Sequence, residues 1–204
     1  MIMGILGPRK GLDRAVHRSW LDATRDADLS AGSLLAWANS TDGRFVIGSV
    51  GVLSVSSGDP DRLVWRHIGW HQIERGGFDA DTTTLRWTLY ADQDGQGGPD
   101  RHDGLDGAVA LQHPGRLPMV FRDRVNTSIA VEQFIGLGDD EPAPGRQHRT
   151  PGVIVSGRRD LGRRNAPIHW HVSVPRGISW DSPGIRELAA ESLLRMRAEY
   201  DPNG

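Results

Sequence analysis

The stretch that decides the fold is residues 63–90, LVWRHIGWHQIERGGFDADTTTLRWTLY. In its second half Leu85, Trp87 and Leu89 alternate with polar residues, and this period of two places an apolar row on one face of a strand. The preceding cluster at residues 79–82, Asp-Ala-Asp-Thr, is typical of a turn that folds a strand back on its predecessor. The pattern predicts an antiparallel sheet with one buried face, on which Trp87 lies between its two leucine neighbours.

Strand patterns continue on the N-terminal side of this stretch. Residues 33–39 and 44–48 are apolar runs that flank Asp42-Gly43, and Asp-Gly between two such runs favours a hairpin. Residues 52–56 follow with alternating apolar and serine positions, which predict a third strand. The strands therefore begin well before the deciding stretch and connect to it through short turns.

Three segments have helical patterns. Residues 11–28 repeat apolar side chains at steps of three and four, and residues 117–135 tolerate Pro118 in a first helical turn. A last helix is predicted to begin with Ser182 as its N-cap and Pro183 at the first helical position. The apolar face predicted for the second helix consists of Leu117, Val120, Phe121, Val125 and Ile135, with Val131 near its edge.

The remaining segments connect these elements. Residues 108–112 predict a short strand, and residues 153–156 and 168–175 predict a strand pair. Residues 92–106 are rich in Gly and Asp and poor in apolar residues, which predicts a surface loop; its aspartates leave a calcium loop as the alternative, although the EF-hand spacing is absent. Residues 137–151 have the Gly, Pro and charge content of a linker.

Together these patterns predict an α+β fold. Its centre is an antiparallel, barrel-like sheet closed by a helix, with an N-terminal helix and a C-terminal β-hairpin plus helix packed alongside. The predicted organisation is residues 1–136 for the N-terminal helix, the barrel and its closing helix, residues 137–151 for the linker, and residues 152–204 for the hairpin and last helix.

Composition limits the classes of function. The chain has 204 residues, a formal net charge of −2 and no cysteine, so disulfides, thiolate metal sites and cysteine nucleophiles are excluded. The near-neutral charge gives no global field for nucleic acid or anionic membrane. Lys10 is the only lysine, and every other cationic side chain of the Lys/Arg type is arginine. No apolar run approaches the ~20 residues that span a bilayer, and we expect a cytoplasmic protein.

The seven predicted strands between residues 33 and 112, followed by one helix, resemble the pleckstrin-homology-like split barrel. The chain also resembles an uncharacterised family of short bacterial proteins with that fold, through WRHIGWHQIERGGFD at residues 65–79, TLRWTLY at residues 84–90 and MVFRDRVNTSIAVEQFI at residues 119–135. The resemblance implies a binding scaffold and names no ligand. The first hairpin loop offers Arg44 as its single cation, so the resemblance does not imply phosphoinositide binding.

Two pairs of histidines are candidate metal ligands. His169 and His171 flank Trp170 in a predicted strand, so both imidazoles lie on one face and could bind a metal together. His67 and His71 could do the same if no bulge separates them. The alternative is that His169 and His171 form the polar row of a half-buried strand. A third ligand, which a catalytic zinc site normally has, is not identifiable in the sequence.

A cluster of arginines is the candidate partner-binding site. Arg158, Arg159, Arg163 and Arg164 fall within seven residues of a predicted turn, where they could hold a phosphate, a nucleic acid or an acidic protein surface. We expect all four side chains to project into solvent from the tip of the last hairpin. The alternative is an ordinary solvated turn.

No catalytic signature is present: the serines lack the nucleophile-elbow pattern, and the glycine-rich stretch lacks the residues of a phosphate loop. The leading hypothesis is therefore a non-enzymatic binding or adaptor protein that acts through protein–protein contacts and needs no cofactor. The alternatives are a metal-dependent enzyme that uses His169 and His171, and nucleic-acid or phosphate binding through the arginine cluster.

Overall fold

A computed structural model of the chain describes residues 11–59, 62–90, 107–138 and 151–201. These ranges contain three α-helices: α1 (Arg14–Asp26), α2 (Leu117–Ser128) and α3 (Ile185–Tyr200). They also contain the strands β1 (Leu34–Asn39), β2 (Phe45–Ser49), β3 (Val52–Ser57), β4 (Val64–Gly69), β5 (Ile73–Asp79), β6 (Thr84–Leu89), β7 (Gly107–Ala110), β8 (Ile129–Gly136), β9 (Gly152–Arg159) and β10 (Ile168–Ser173). A 3-10 turn, Trp70–Gln72, joins β4 to β5.

The described strands form three antiparallel sheets. The first has the order β1-β2-β3-β4, the second β5-β6-β7 and the third β10-β9-β8. The predicted hairpins at β1–β2 and β5–β6 are present, with Trp37 opposite Ile47 and Phe78 opposite Leu85. The α+β class is confirmed, whereas the described sheets do not join into a closed barrel. One isolated bridge, Ser40 to Leu111, connects the end of β1 to the residue after β7.

The first two sheets and α2 enclose the largest apolar core. Leu85, Trp87 and Leu89 are all buried there, as the alternation in β6 predicted. Trp70, in the corner between the sheets, is fully buried, meets Phe121 of α2 edge-on and donates its indole N–H to the Ser49 carbonyl at 3.1 Å. Burying these large side chains is the main stabilising term for this part of the molecule.

Helix α1 covers the outer face of the first sheet. Asp13 caps its N-terminus by accepting the backbone N–H groups of Ala15 and Val16. Trp20 is fully buried with Ile47 and Val52 in a second, smaller core, and its indole N–H donates to the Ser54 hydroxyl at 3.0 Å. The helix is therefore held both by apolar contact and by one buried hydrogen bond.

The prediction of one helix over residues 117–135 is wrong in its second half. The apolar face from Leu117 to Val125 is buried as expected, but α2 ends at Ser128, whose hydroxyl donates to the Val125 carbonyl at 2.6 Å. Ile129 is extended, and β8 then pairs with β9. The local sequence pattern does not show where the helix ends, because Val131 and Ile135 lie close to the predicted helical face. The strand is favoured by pairing with β9, and that stabilisation comes from residues distant in the chain.

The C-terminal part is a three-stranded sheet with α3 on one face. The predicted strand pair is confirmed as β9 and β10, and β8 joins it as a third strand. This sheet therefore combines a strand from the predicted unit of residues 1–136 with two strands from the predicted unit of residues 152–204. Helix α3 begins at Ile185 rather than next to Ser182, because Ser182 to Gly184 form a turn in which Ile185 N–H donates to the Ser182 carbonyl at 3.2 Å. Its buried side is Ile185, Ala189, Ser192 and Met196.

The loop predicted at residues 92–106 and most of the linker predicted at residues 137–151 lie outside the described residues. None of the helices in the ranges that the structure describes is long and apolar enough to cross a membrane.

Candidate functional site

The candidate site lies between two separate apolar cores. The larger core belongs to the first two sheets and α2, and the other lies between the third sheet and α3. The surface of the third sheet that turns away from α3 is polar and contacts the first part of the molecule through ionisable side chains. A contact of this kind is held by specific hydrogen bonds and ring contacts more than by apolar burial.

Strand alternation explains why this face is polar. In β9, Val153 and Val155 are fully buried toward α3, so Ser156 and Arg158 belong to the opposite row. The register places His169 of β10 opposite Arg158. It also places His171 and Glu132, from the two neighbouring strands, on either side of Ser156. One sheet face therefore carries an arginine, two histidines, a serine and a glutamate.

Arg158 is the centre of this face, and only 2% of its surface is exposed. Its Nε donates to the Tyr90 hydroxyl at 2.9 Å. Its Nη1 donates to the Ser128 hydroxyl at 3.1 Å and to the Val125 carbonyl at 3.3 Å, and its Nη2 donates to the Glu74 carbonyl at 3.3 Å. The guanidinium thus donates to the Val125 carbonyl in the last turn of α2, where the helix dipole favours a cation.

Glu132 supplies a carboxylate at the edge of the cluster. Its Oε2 accepts the Ser156 hydroxyl at 2.9 Å and lies 3.8 Å from Nη2 of Arg158. The glutamate side chain is 45% exposed, so water screens this ion pair, and the hydrogen bonds of Arg158 matter more to its burial than the pair does.

Two stacked ring pairs join β10 to the first part of the molecule. His171 stacks on Tyr90 with ring centroids 3.8 Å apart and planes within 6°. His169 stacks on His71, in the corner between β4 and β5, with centroids 4.6 Å apart and planes 22° apart. Burial raises the pKa of the Tyr90 hydroxyl, while the charge of Arg158 and its hydrogen bonds with Ser156 and Arg158 lower it.

His71 is held in its neutral form. Burial lowers its pKa to about 4, and the neighbouring His169, Arg158 and Arg163 act in the same direction, while Asp160 opposes them. Asp160 Oδ1 lies 4.0 Å from His71 Nδ1, which is beyond hydrogen-bond reach. Within the described residues this buried nitrogen has no hydrogen-bond partner.

The geometry does not support His169 and His171 as a metal pair. Each imidazole is stacked on a different ring of the first part of the molecule. In the described part of the chain, no three His, Asp or Glu side chains are grouped so that they could hold a metal ion. The Nδ1 of His67 pairs with the Ser54 hydroxyl at 2.8 Å rather than with His71, and burial lowers the pKa of His67.

The structure divides the predicted arginine cluster. The prediction that all four side chains project into solvent is wrong for Arg158, which is buried because its row of β9 faces the first part of the molecule. Arg159, Arg163 and Arg164 are exposed. Arg163 lies in the β9–β10 loop with its Nε 3.7 Å from Asp160 Oδ2.

Arg163 also lines an open depression of about 640 Å³ beside the C-terminal half of α1. Its lining residues come from α1, from the loop that leads to β1, and from Arg163. Arg25 pairs with Asp22 at 3.1 Å, with both side chains more than half exposed. The full lining is Leu21, Thr24, Arg25, Asp28, Leu29, Ser30, Ala31, Gly32 and Arg163.

Sequence reasoning missed Tyr90 and Asp160. Tyr90 falls on the polar row of the β6 pattern, yet only 7% of its surface is exposed, because β9 and β10 cover that end of the sheet. Asp160 follows Arg159 in the sequence of the cluster, and the structure places its carboxylate between His71 and Arg163. Alternation in β9 could have separated Arg158 from Arg159, because adjacent strand residues point to opposite faces.

No protein-family description, no curated protein and no solved structure matches this chain.

Proposed function

We propose that the protein is a non-enzymatic binding protein that acts through protein–protein contacts, and that its partner occupies the depression between α1 and the β9–β10 loop. The observation that supports this proposal is the position of Arg163. It is the member of the predicted arginine cluster that lines a concave surface, beside the exposed apolar side chain of Leu21. Concave sites that combine apolar contact with a few convergent polar groups are the usual form of binding sites.

The chemistry of the depression favours a partner that presents an acidic side chain next to an apolar one. Arg25 and Arg163 supply two guanidinium groups, against the single carboxylate of Asp28 in the lining. Their own pairings, with Asp22 and Asp160, are an exposed ion pair and a 3.7 Å contact. Exposed ion pairs of this kind contribute little to stability, so a carboxylate of the partner can take the place of Asp22 or Asp160 as the arginine's counterion.

The scaffold that we propose for this function is the pleckstrin-homology-like split barrel. Its support is the chain order: seven strands in two antiparallel sheets, followed by one helix that packs on the core they share. The third sheet and α3 are then an addition to that scaffold, and the proposed partner surface lies where the addition meets α1. A cytoplasmic location stays a prediction, which fractionation of the native cell tests.

The proposal is tested with short immobilised peptides that carry one Asp or Glu beside a leucine, matched to peptides with Asn or Gln instead. We expect the acidic peptides to bind the full chain, with affinity that falls as salt rises. Arg25→Ala and Arg163→Ala should each weaken binding about tenfold, which corresponds to about 1.4 kcal/mol and is typical of a hydrogen bond to a charged group.

Arg195→Ala is the matched control, because Arg195 is exposed on α3 and alanine keeps the helix. Its peptide affinity should equal that of the wild type. Peptide binding that survives both Arg25→Ala and Arg163→Ala would contradict the proposed site. Tighter binding of a labelled oligonucleotide or of inorganic phosphate than of any acidic peptide would assign the surface to the nucleic-acid and phosphate alternative instead.

A further inference from the structure

The C-terminal unit, defined here as β8, β9, β10 and α3, has its own apolar core. Val153, Val155, Ile185 and Met196 are buried in it, and none of them belongs to the core of the first two sheets. One apolar side chain of the β9–β10 loop, Leu161, packs against that other core. The other side chains that join the two parts include Arg158, Tyr90 and three histidines, so the joint contains several ionisable groups.

We propose that this joint is acid-sensitive: protonation of His71, which stacks on His169, releases the polar face of the C-terminal unit from the first two sheets. His71 belongs to the first part of the molecule and His169 to the C-terminal unit, with their ring centroids 4.6 Å apart. In this arrangement the His71 ring is buried and faces positive neighbours, so a proton on it is better accommodated once the joint opens and water reaches the ring.

Fixed positive charges around the stack also disfavour a protonated His71 in the docked state. Arg158 of β9 lies opposite His169 in the ladder, and Arg163 of the β9–β10 loop adds a second fixed positive charge. The opposing charge is Asp160, whose two oxygens lie 4.0 Å from His71 and 3.7 Å from Arg163. The other ionisable groups that face the joint are Tyr90 after β6, Glu74 of β5, Glu132 of β8 and His171 of β10.

The sign of the effect follows from His71. Its pKa is about 4 in the docked arrangement, against an ordinary value of 6.5 once the ring is in water. Between these values the released state binds more protons than the docked state, so docking is complete above pH 6.5 and weakens as the pH falls toward 4. Each pH unit in this window favours release by up to about tenfold for His71 alone.

The chain provides a direct readout, because it has two tyrosines. Tyr90 is 7% exposed within the joint, whereas Tyr200 is 46% exposed at the end of α3 and serves as an internal reference. Hydroxyl-radical footprinting of the full chain from pH 7.5 to pH 4.5 measures the ratio of Tyr90 to Tyr200 oxidation. Trp70, fully buried in the core of the first two sheets, reports whether that core stays closed.

We expect the Tyr90 to Tyr200 ratio to rise several-fold as the pH falls below 6.5, while Trp70 stays protected. In His71→Gln the rise should disappear from this window, and in His169→Gln its midpoint should move to lower pH because His169 is one of the neighbours that lower the pKa of His71 in the docked state. His169 is exposed, so His169→Gln should fold even if His71→Gln does not. His113→Gln, at an exposed position before α2, should behave as the wild type.

Three results would overturn the proposal. Tyr90 could stay protected down to pH 4.5, or Trp70 could be oxidised together with Tyr90, which would show general unfolding rather than release of the joint. The third is a rise with the same midpoint in His169→Gln as in the wild type. The proposal is independent of the partner surface at Arg163, because its readout requires no ligand.

Discussion

At the scale of single residues, Arg158 and Arg159 show how far two identical neighbours can differ. Both are arginines of β9, but adjacent strand residues point to opposite faces. Arg158 is buried and donates to Tyr90, Ser128 and two backbone carbonyls, whereas Arg159 is exposed. Arg158 therefore helps to hold the two parts of the molecule together, whereas Arg159 is an ordinary surface residue.

Arg158→Ala should therefore lower the free energy of unfolding by about 3 kcal/mol or more, because it removes the guanidinium that donates to the Tyr90 hydroxyl, the Ser128 hydroxyl and the Glu74 carbonyl and leaves a cavity in the joint. Arg159→Ala, the matched control, should stay within about 0.5 kcal/mol of the wild type. Urea unfolding at neutral pH measures both. If the two variants were equally stable, the guanidinium of Arg158 would not be held in the joint.

At the scale of elements, β6 is the strand whose sequence and structure agree most closely. Its apolar row lies in the core between the first two sheets, with Trp87 at 5% exposure and Leu85 fully buried. The side chain of Arg86, on the other face of β6, is exposed. Helix α2 and β8 are the contrast, because one continuous stretch of sequence divides at Ser128 into a helix and a strand.

Trp87→Ala should cost about 3–5 kcal/mol, the usual range for removing a large aromatic side chain from a core. Arg86→Ala, on the opposite face of the same strand, is the control and should change stability by less than about 0.5 kcal/mol. Thermal or urea unfolding distinguishes them. A Trp87→Ala variant that melts within a degree or two of the wild type would place the indole outside the core.

At the scale of the whole molecule, the position of the C-terminal unit depends on a close contact between loops. A β-carbon on Gly162, in the β9–β10 loop, would lie 2.5 Å from the Ser30 carbonyl oxygen, and one on Gly51, in the β2–β3 turn, would meet both Ser30 and Gly162. The backbones pack too closely here for any side chain. These glycines set how near the β9–β10 loop, and with it Asp160 and Arg163, approaches α1 and the first sheet.

Gly162→Ala should destabilise the molecule by about 1–3 kcal/mol, because the added methyl group meets backbone atoms that cannot rotate away. Gly77→Ala is the matched control: it lies in β5 with nothing within 4 Å of the added carbon, so its effect should be near zero. Urea unfolding and the Tyr90 footprint should both respond to Gly162→Ala. An unchanged footprint together with unchanged stability would show that the two loops are not in contact.

The sequence by itself determined the elements whose signals are local. Alternation in β6, the Asp42-Gly43 turn of the first hairpin and the helical periodicity of α1 each depend on residues a few positions apart, so the α+β class and the buried face of β6 could be predicted. The same holds for β9 and β10 as a strand pair. Such patterns report which face of an element is apolar, and apolar faces are buried wherever a core forms.

Only the tertiary structure decided what covers the polar faces. The burial of Arg158 and Tyr90, the stacking of His169 on His71 and the end of α2 at Ser128 all depend on the third sheet meeting the first part of the molecule. A polar row in a strand looks the same in sequence whether water or another sheet faces it. The difference arises because hydrogen bonds from residues distant in the chain offset the cost of burial, and no local pattern records them.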